Sequence, residues 1–247
     1  MLRNRRGGTP ARSLEPRPWA KAGISVCLCV SLVLCSGGPS HGVSGSQEIE
    51  ADLEGDGRCE KLVLSEESPD SLTIWRDGEK IWQGIPRKWR PWKLLVADVD
   101  GDGVKEIIVG VHKTTRFWPE PHNCLFVFGW DGRKAFPKWL GSRLSKPFVD
   151  FAFAELDGEA GEELASLEVT QNGGRCLVVY SWCGFGFVGD WQSQDFAYAA
   201  LSRSSAGEII LALPNGEHFV LERKDNSYNL ANVQVNPSRA TGGSKDE

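Results

Sequence analysis

From residue 47 onward the chain alternates short apolar runs with clusters of Gly, Asp, Asn and Ser, and its body carries no helical stripe. Alternation over four to eight residues between such turn clusters reads as half-buried β-strands. In the middle of the chain the pattern predicts strands at 94–99, 106–112, 124–130 and 133–140, with Asp131-Gly132 as a hairpin turn between the last two. The stretch before it repeats the device, with strands at 71–76 and 79–83 around Asp77-Gly78. After it come strands at 148–156, 163–169, 175–182 and 187–191, then 198–202, 208–213, 218–223 and 228–235. Four strands recur in each of four units, near 47–92, 93–146, 147–196 and 197–235. This is the strand count of a propeller blade.

A loop rich in carboxylates sits between the first two strands of these units. Asp98-Val99-Asp100-Gly101-Asp102-Gly103-Val104-Lys105-Glu106 puts acids at positions 1, 3, 5 and 9 and glycines at 4 and 6. Alternating carboxylates on a tight turn converge on one point, the arrangement that a hard cation such as Ca²⁺ requires. The helical calcium hand needs a bidentate Glu at position 12. Here that place is Val109, so Glu106 must close the site as the chain enters a strand. Asp52, Glu54, Asp56 and Glu60 repeat the spacing, while Glu155, Asp157, Glu159 and Glu163 form a worn third copy. The fourth copy, from Ala200 to Glu208, keeps only the last acid and cannot bind in this way. First positions at 52, 98, 155 and 200 give steps of 46, 57 and 45 residues, a period of stacked or radial repeats.

These loops resemble the FG-GAP/VCBS-type repeats of integrin-α-like β-propellers. The D-x-D-G-D-G-x-x-E run of the second copy and the near-match in the first carry the resemblance, which extends over roughly residues 47–235. It implies an all-β propeller in which loop acids bind Ca²⁺ within a hairpin of each blade. On that basis the ligands are Asp98, Asp100, Asp102 and Glu106, together with Asp52, Glu54, Asp56 and Glu60. The backbone carbonyls of Val104 and Arg58 add an oxygen each, and Glu155, Asp157, Glu159 and Glu163 form a weaker set. Integrin-type propellers have seven blades and four repeats are legible here, so the ring is either four-bladed and closed or partial.

The N-terminus departs from this pattern. Six basic residues and one acid within residues 1–23 precede an 11-residue apolar run, Ile24 to Leu34, followed by Cys35-Ser36-Gly37-Gly38. That is the layout of an export signal, and the run is too short to span a bilayer comfortably. The expected organisation is a leader at 1–43, a propeller at 44–235 and a disordered tail at 236–247, in a protein secreted or held at the cell envelope. Leu32-Val33-Leu34-Cys35 also raises a lipid anchor at Cys35, the single expected membrane attachment. Without the leader the chain holds 22 basic and 32 acidic residues, a balance that argues against nucleic acid as partner. Of the body's cysteines, Cys59, Cys124, Cys176 and Cys183, one or two pairs would suit an oxidising compartment, and buried thiols on strands are the plain alternative.

Aromatics recur at matching places: Trp75, Trp130 and Trp182 before the last turn of successive units, Trp82, Trp139 and Trp191 after it. Filling the space between neighbouring sheets explains them best. Two segments remain as ligand candidates. One is Arg87-Lys88-Trp89-Arg90-Pro91-Trp92-Lys93, where inward-packing tryptophans are the simpler reading. The other is the loop around Arg116, Phe117, Trp118 and His122, on which a protein or glycan ligand is expected. No nucleophile elbow, zinc-protease motif or phosphate loop is present. A non-catalytic binding or scaffold module is therefore expected, with a glycan-active propeller hydrolase or lyase as the alternative.

Overall fold

The computed structural model describes residues 45–141 and 143–233, all within the unit Val33–Glu247. The leader at 1–43, Cys35 and the tail at 236–247 lie outside the described residues. Each legible repeat forms one antiparallel sheet whose four strands pair in chain order. The first sheet holds β1 (Gln47–Ala51), β2 (Glu60–Leu64), β3 (Asp70–Arg76) and β4 (Glu79–Pro86). The second holds β5 (Pro91–Ala97), β6 (Glu106–Lys113), β7 (His122–Trp130) and β8 (Ala135–Gly141). The third holds β9 (Phe148–Ala154), β10 (Glu163–Val169), β11 (Arg175–Trp182) and β12 (Phe187–Gln192). The fourth holds β13 (Ala200–Arg203), β14 (Ile209–Ala212), β15 (His218–Lys224) and β16 (Ser227–Val233). First strands of successive sheets approach one another, β1 to β5, β5 to β9 and β9 to β13, as the inner strands of propeller blades do.

Several strand limits differ from expectation by two or three residues, two of them for evident local reasons. β8 begins at Ala135 because the Asp131 carboxylate accepts the N–H groups of Arg133 and Lys134 (3.0 and 2.9 Å) and holds both in the turn. β5 begins at Pro91, directly after a 3₁₀ turn at Arg87–Trp89, and the Arg90 carbonyl already accepts the N–H of His112 at 3.1 Å.

Apolar burial falls into three cores, one between each neighbouring pair of sheets. Leu62, Leu64, Leu72 and Ile74 meet Val109, Phe126 and Phe128 in the first. Ile108, Leu125 and Val127 meet Phe151, Phe153 and Leu164 in the second. Ala165, Leu167 and Val179 meet Leu201, Ile209 and Leu211 in the third. β6 and β10 are therefore buried on both faces and lose the strict alternation of the outer sheets. Among the described residues no fourth core joins the last sheet to the first.

The two free faces differ in kind. Where the second sheet turns Ile107, Val109, Phe126 and Phe128 toward its predecessor, the first sheet has Lys61, Val63, Thr73 and Trp75 in the same registers. Lys61 pairs with Glu48 at 2.8 Å, and the Trp75 indole donates to the Thr73 hydroxyl at 3.0 Å. The fourth sheet instead lines up Ile210, Val220 and Ala231 on its free side, all half-buried. Five of the six recurring tryptophans fill inter-sheet space: Trp82 and Trp130 join the first core, Trp139 and Trp182 the second and Trp191 the third, whereas Trp75 lies on the outer face of the first sheet, outside all three. The Trp139 ring lies back along its own strand, where a Cβ at Gly141 would come within 1.9 Å of it.

Candidate functional site

The first three acidic loops share one internal wiring. The side chain at position 1 accepts turn N–H groups: Asp98 those of Gly101 and Gly103 (2.8 and 2.9 Å), Asp52 those of Asp56 and Gly57 (3.1 and 2.7 Å), and Glu155 those of Asp157 and Gly158 (3.1 and 2.7 Å). The position-9 glutamate begins the second strand and is almost fully buried in each case, as Glu60, Glu106 and Glu163. One of its oxygens accepts the N–H of position 2, at 3.1 Å from Leu53, 2.8 Å from Val99 and 2.8 Å from Leu156. Loops also hook into their neighbours. Lys105 N–H donates to the Leu53 carbonyl (2.9 Å), and Glu162 N–H donates to the Asp98 carbonyl (2.7 Å). Gly101, at φ +73°, lies so close to the next loop that a Cβ there would stand 2.6 Å from the Ala160 backbone.

The other glutamate oxygen is where the loops diverge. In the second loop Lys138 donates to Glu106 Oε1 at 2.7 Å and to Asp100 Oδ2 at 2.5 Å. In the first, Arg76 Nε donates to Glu60 Oε1 at 2.7 Å, and its terminal nitrogen bonds Glu54. In the third, no described lysine or arginine pairs with Glu163, while Arg223 from the fourth sheet holds Asp157 at 2.9 Å. Burial disfavours the Glu106 anion and raises its pKa despite Lys138 and the Val99 N–H. Burial also opposes the Lys138 charge, but its hydrogen bonds to Asp100 and Glu106 outweigh that and hold it above the ordinary lysine value. The hydrogen bond to Glu60 is the main reason that Arg76 is raised. Glu163, buried and near Asp157 and Glu155, is pushed up to about 7.

The carboxylates fit a hard cation in kind but not equally in place. Asp98, Asp100 and Glu106 each offer an oxygen within 4.8 Å of the others, and so do Glu155, Asp157 and Glu163. Asp102 stays outside the first of these groups and caps the N–H of Val104 at 2.8 Å, while Glu159 donates its own N–H to Asp157. Among the described residues the first loop forms no such group. Asp56 is paired with Arg58 (2.7 Å), and Glu54 and Glu60 are taken by Arg76.

The two ligand segments read from sequence come together. Lys88, Trp89 and Arg90 line one shallow depression with His112, Lys113, Thr114 and Pro121. Trp89 packs edge-on against Phe126 and Trp92 against Phe151, each at 5.5 Å, so both tryptophans turn inward while Arg87, Lys88 and Arg90 are exposed and Lys93 is half-buried against Asp150. Phe117 is 77% exposed and Trp118 44%, with the Arg143 guanidinium 4.1 Å over the Trp118 ring and His122 edge-on to it. Arg116 lies on the same loop.

Three of these roles carry no signal in the sequence. Arg76 and Lys138 lie 22 and 38 residues from acids that they hold. The third is a buried network in which Tyr180 donates to Glu168 at 2.5 Å, Ser145 donates to it at 2.6 Å, and the Ser145 N–H donates to the Tyr180 hydroxyl at 3.0 Å. It ties the connector before β9 to the third sheet. No disulfide joins the described cysteines: Cys124 and Cys176 are buried, Cys183 Sγ donates to Gly186, and Cys59 is exposed in the first loop.

Residues 52–109, from the first acidic loop into β6, match the family model of the FG-GAP-like repeat. Over these residues the resemblance read from the loops holds, and the chain carries an FG-GAP-like repeat across its best-preserved pair of loops. No curated protein and no solved structure shows a significant match to the chain.

Proposed function

We propose that the chain is an exported, non-catalytic binding module, a set of FG-GAP-like blades that holds an anionic glycan or wall polymer at the cell envelope or outside the cell. The observation that carries this is the meeting of segment 87–93 with loop 114–123 around one depression. Arg87, Lys88 and Arg90 form no ion pair with a described carboxylate, on a body whose acids outnumber its bases. Such cations supply charge to an acidic sugar chain, and the loop that lends Thr114 and Pro121 to the depression also carries the exposed Phe117 and Trp118 for stacking. A non-catalytic role is supported by three of the four buried glutamates, Glu60, Glu106 and Glu168, which are engaged with cationic or hydroxyl partners, while Glu163 is assigned to the third acidic loop.

Calcium belongs to the same reading. Asp98, Asp100 and Glu106 would hold it in the second loop, with Glu155, Asp157 and Glu163 as a second set. Bound there, Ca²⁺ would neutralise the carboxylates of one loop and staple the hairpin that carries it. Binding is tested by co-sedimentation and calorimetry with polygalacturonate against a neutral polymer of the same length. The wild type is expected to bind the acidic polymer in a salt-sensitive manner, and K88Q/R90Q/K113Q to lose most of that affinity. Equal affinity for the neutral polymer, or turnover of either, refutes the proposal.

A further inference from the structure

We propose that Arg76 and Lys138 are counter-ions built into the first and second loops, which keep those loops closed without metal, and that a divalent cation enters the second loop only by displacing Lys138. The first part stands on the loop geometry alone. The second rests on the calcium reading above.

Two loops reach the same solution from different strands. In both, the cation joins the acid at position 3 to the buried glutamate at position 9: Glu54 with Glu60 through Arg76, Asp100 with Glu106 through Lys138. Arg76 comes from the end of β3, whereas Lys138 comes from β8. A surface pair is worth little, but Glu60 and Glu106 are each only 1% exposed. An ionised carboxylate in such a place requires a partner charge or a proton.

The β8 backbone explains how a lysine arrives there. Phe128 pairs with Pro137 and Val127 with Trp139, so Lys138 is the extra residue of a β-bulge. A bulge re-aims a side chain that regular alternation would place elsewhere. The same irregularity recurs in the first and third sheets, with Ile81 as the extra residue in one and Asp190 in the other. In the first sheet the bulge side chain is apolar, and Arg76 supplies the charge instead. In the third it is an acid, and no described basic side chain pairs with Glu163. The third loop is thus an internal contrast: the same buried glutamate and N–H bond, without the counter-ion.

A metal ion and the Lys138 ammonium compete for the same two carboxylates, since Glu106 Oε2 already accepts the Val99 N–H and Lys138 occupies Glu106 Oε1 and Asp100 Oδ2. Coordination of the second loop must therefore release that ammonium, and the work of releasing it weakens the apparent affinity. The experiment uses the full chain as wild type, K138M, K138R and R76M, each followed by thermal unfolding in chelator and by calorimetric titration with CaCl₂. K138M and R76M are expected to unfold several degrees below wild type in chelator, with K138R close to it. K138M should then take up calcium at least about tenfold more tightly than wild type or K138R and recover its midpoint. If K138M is unfolded in chelator, K138Q takes its place in the same comparison of calcium affinity with wild type.

Calcium binding of equal strength in wild type and K138M overturns the displacement claim. If no variant takes up calcium, the calcium reading and the displacement claim fall together. The counter-ion claim is then decided in chelator by K138M, E106Q and their double variant, since the amide introduced by E106Q keeps an acceptor oxygen for the Val99 N–H. Losses smaller in the double variant than the two singles added support it; strictly additive losses overturn it.

Discussion

Tyr180→Phe removes one oxygen from the interior of the third sheet, and its cost follows from the atoms around it. The hydroxyl donates to Glu168, which is fully buried, and accepts the N–H of Ser145 on the connector before β9. Burial, then the hydrogen bond to Glu168, raises the Tyr180 pKa far above the ordinary phenol, so the donor stays protonated across the working range. Without it Glu168 keeps the Ser145 hydroxyl at 2.6 Å and a Lys146 ammonium 3.7 Å away. Water can replace the lost partner of Ser145 N–H, but not that of the buried carboxylate. The loss is thus that of one hydrogen bond to a charged group, about 1.5–3 kcal/mol. For a chain of this size that lowers the unfolding midpoint by about 3–12 °C. Circular dichroism melts of wild type, Y180F, E168Q and the double variant measure it. The double variant should lose less than the two singles combined, because both changes break one contact. A Y180F midpoint within about 1 °C of wild type, or full additivity, refutes the reasoning.

Gly101→Ala imposes a side chain at φ +73° and drives a Cβ to 2.6 Å from Ala160. It should cost about 1–3 kcal/mol in denaturant titrations, while the same change at Gly103, where a Cβ meets nothing within 4 Å, costs only its backbone strain. Equal losses at the two positions would argue against close packing of the second loop on the third. For Glu163 the folded-state pKa of about 7 lies above the ordinary 4.5, so the folded chain holds that proton more tightly than the unfolded one. Its contribution is complete below pH 4.5 and disappears as the pH rises through about 7. In chelator, wild type should therefore lose stability over that interval relative to E163Q, which keeps the acceptor for Leu156 N–H; parallel pH profiles would contradict this.

The strands were legible because each signal was local. Alternation and the Asp77-Gly78 and Asp131-Gly132 turns mark sheet after sheet, and 163–169 and 175–182 are occupied by β10 and β11 without adjustment. The position-9 acids were legible for the same reason, since each lies eight residues from its loop start. What fills the loops was not. An isolated lysine between Pro137 and Trp139 reads as a solvated strand residue, and only the bulge turns it toward Asp100. The first loop looks nearly equal to the second in sequence, yet Arg76 pulls Glu54 and Glu60 into a pair and leaves Asp56 to Arg58. The worn third loop, whose glycine spacing departs from the motif, still gathers three carboxylates around its buried glutamate.

The unlike free faces of the outer sheets give the array a direction. Before the first sheet an added blade would have to cover Lys61, Thr73 and the Glu48–Lys61 pair, groups content in water. After the fourth it would meet Ile210, Val220 and Ala231, in the registers where earlier sheets hold the apolar residues of a core. Duplication of a unit at that side therefore starts with a ready contact, whereas duplication at the other must first replace charges. Among the described residues, then, the face of the fourth sheet is the better suited to receive a further blade, and the charges of the first sheet resemble the polar outer face of a terminal repeat.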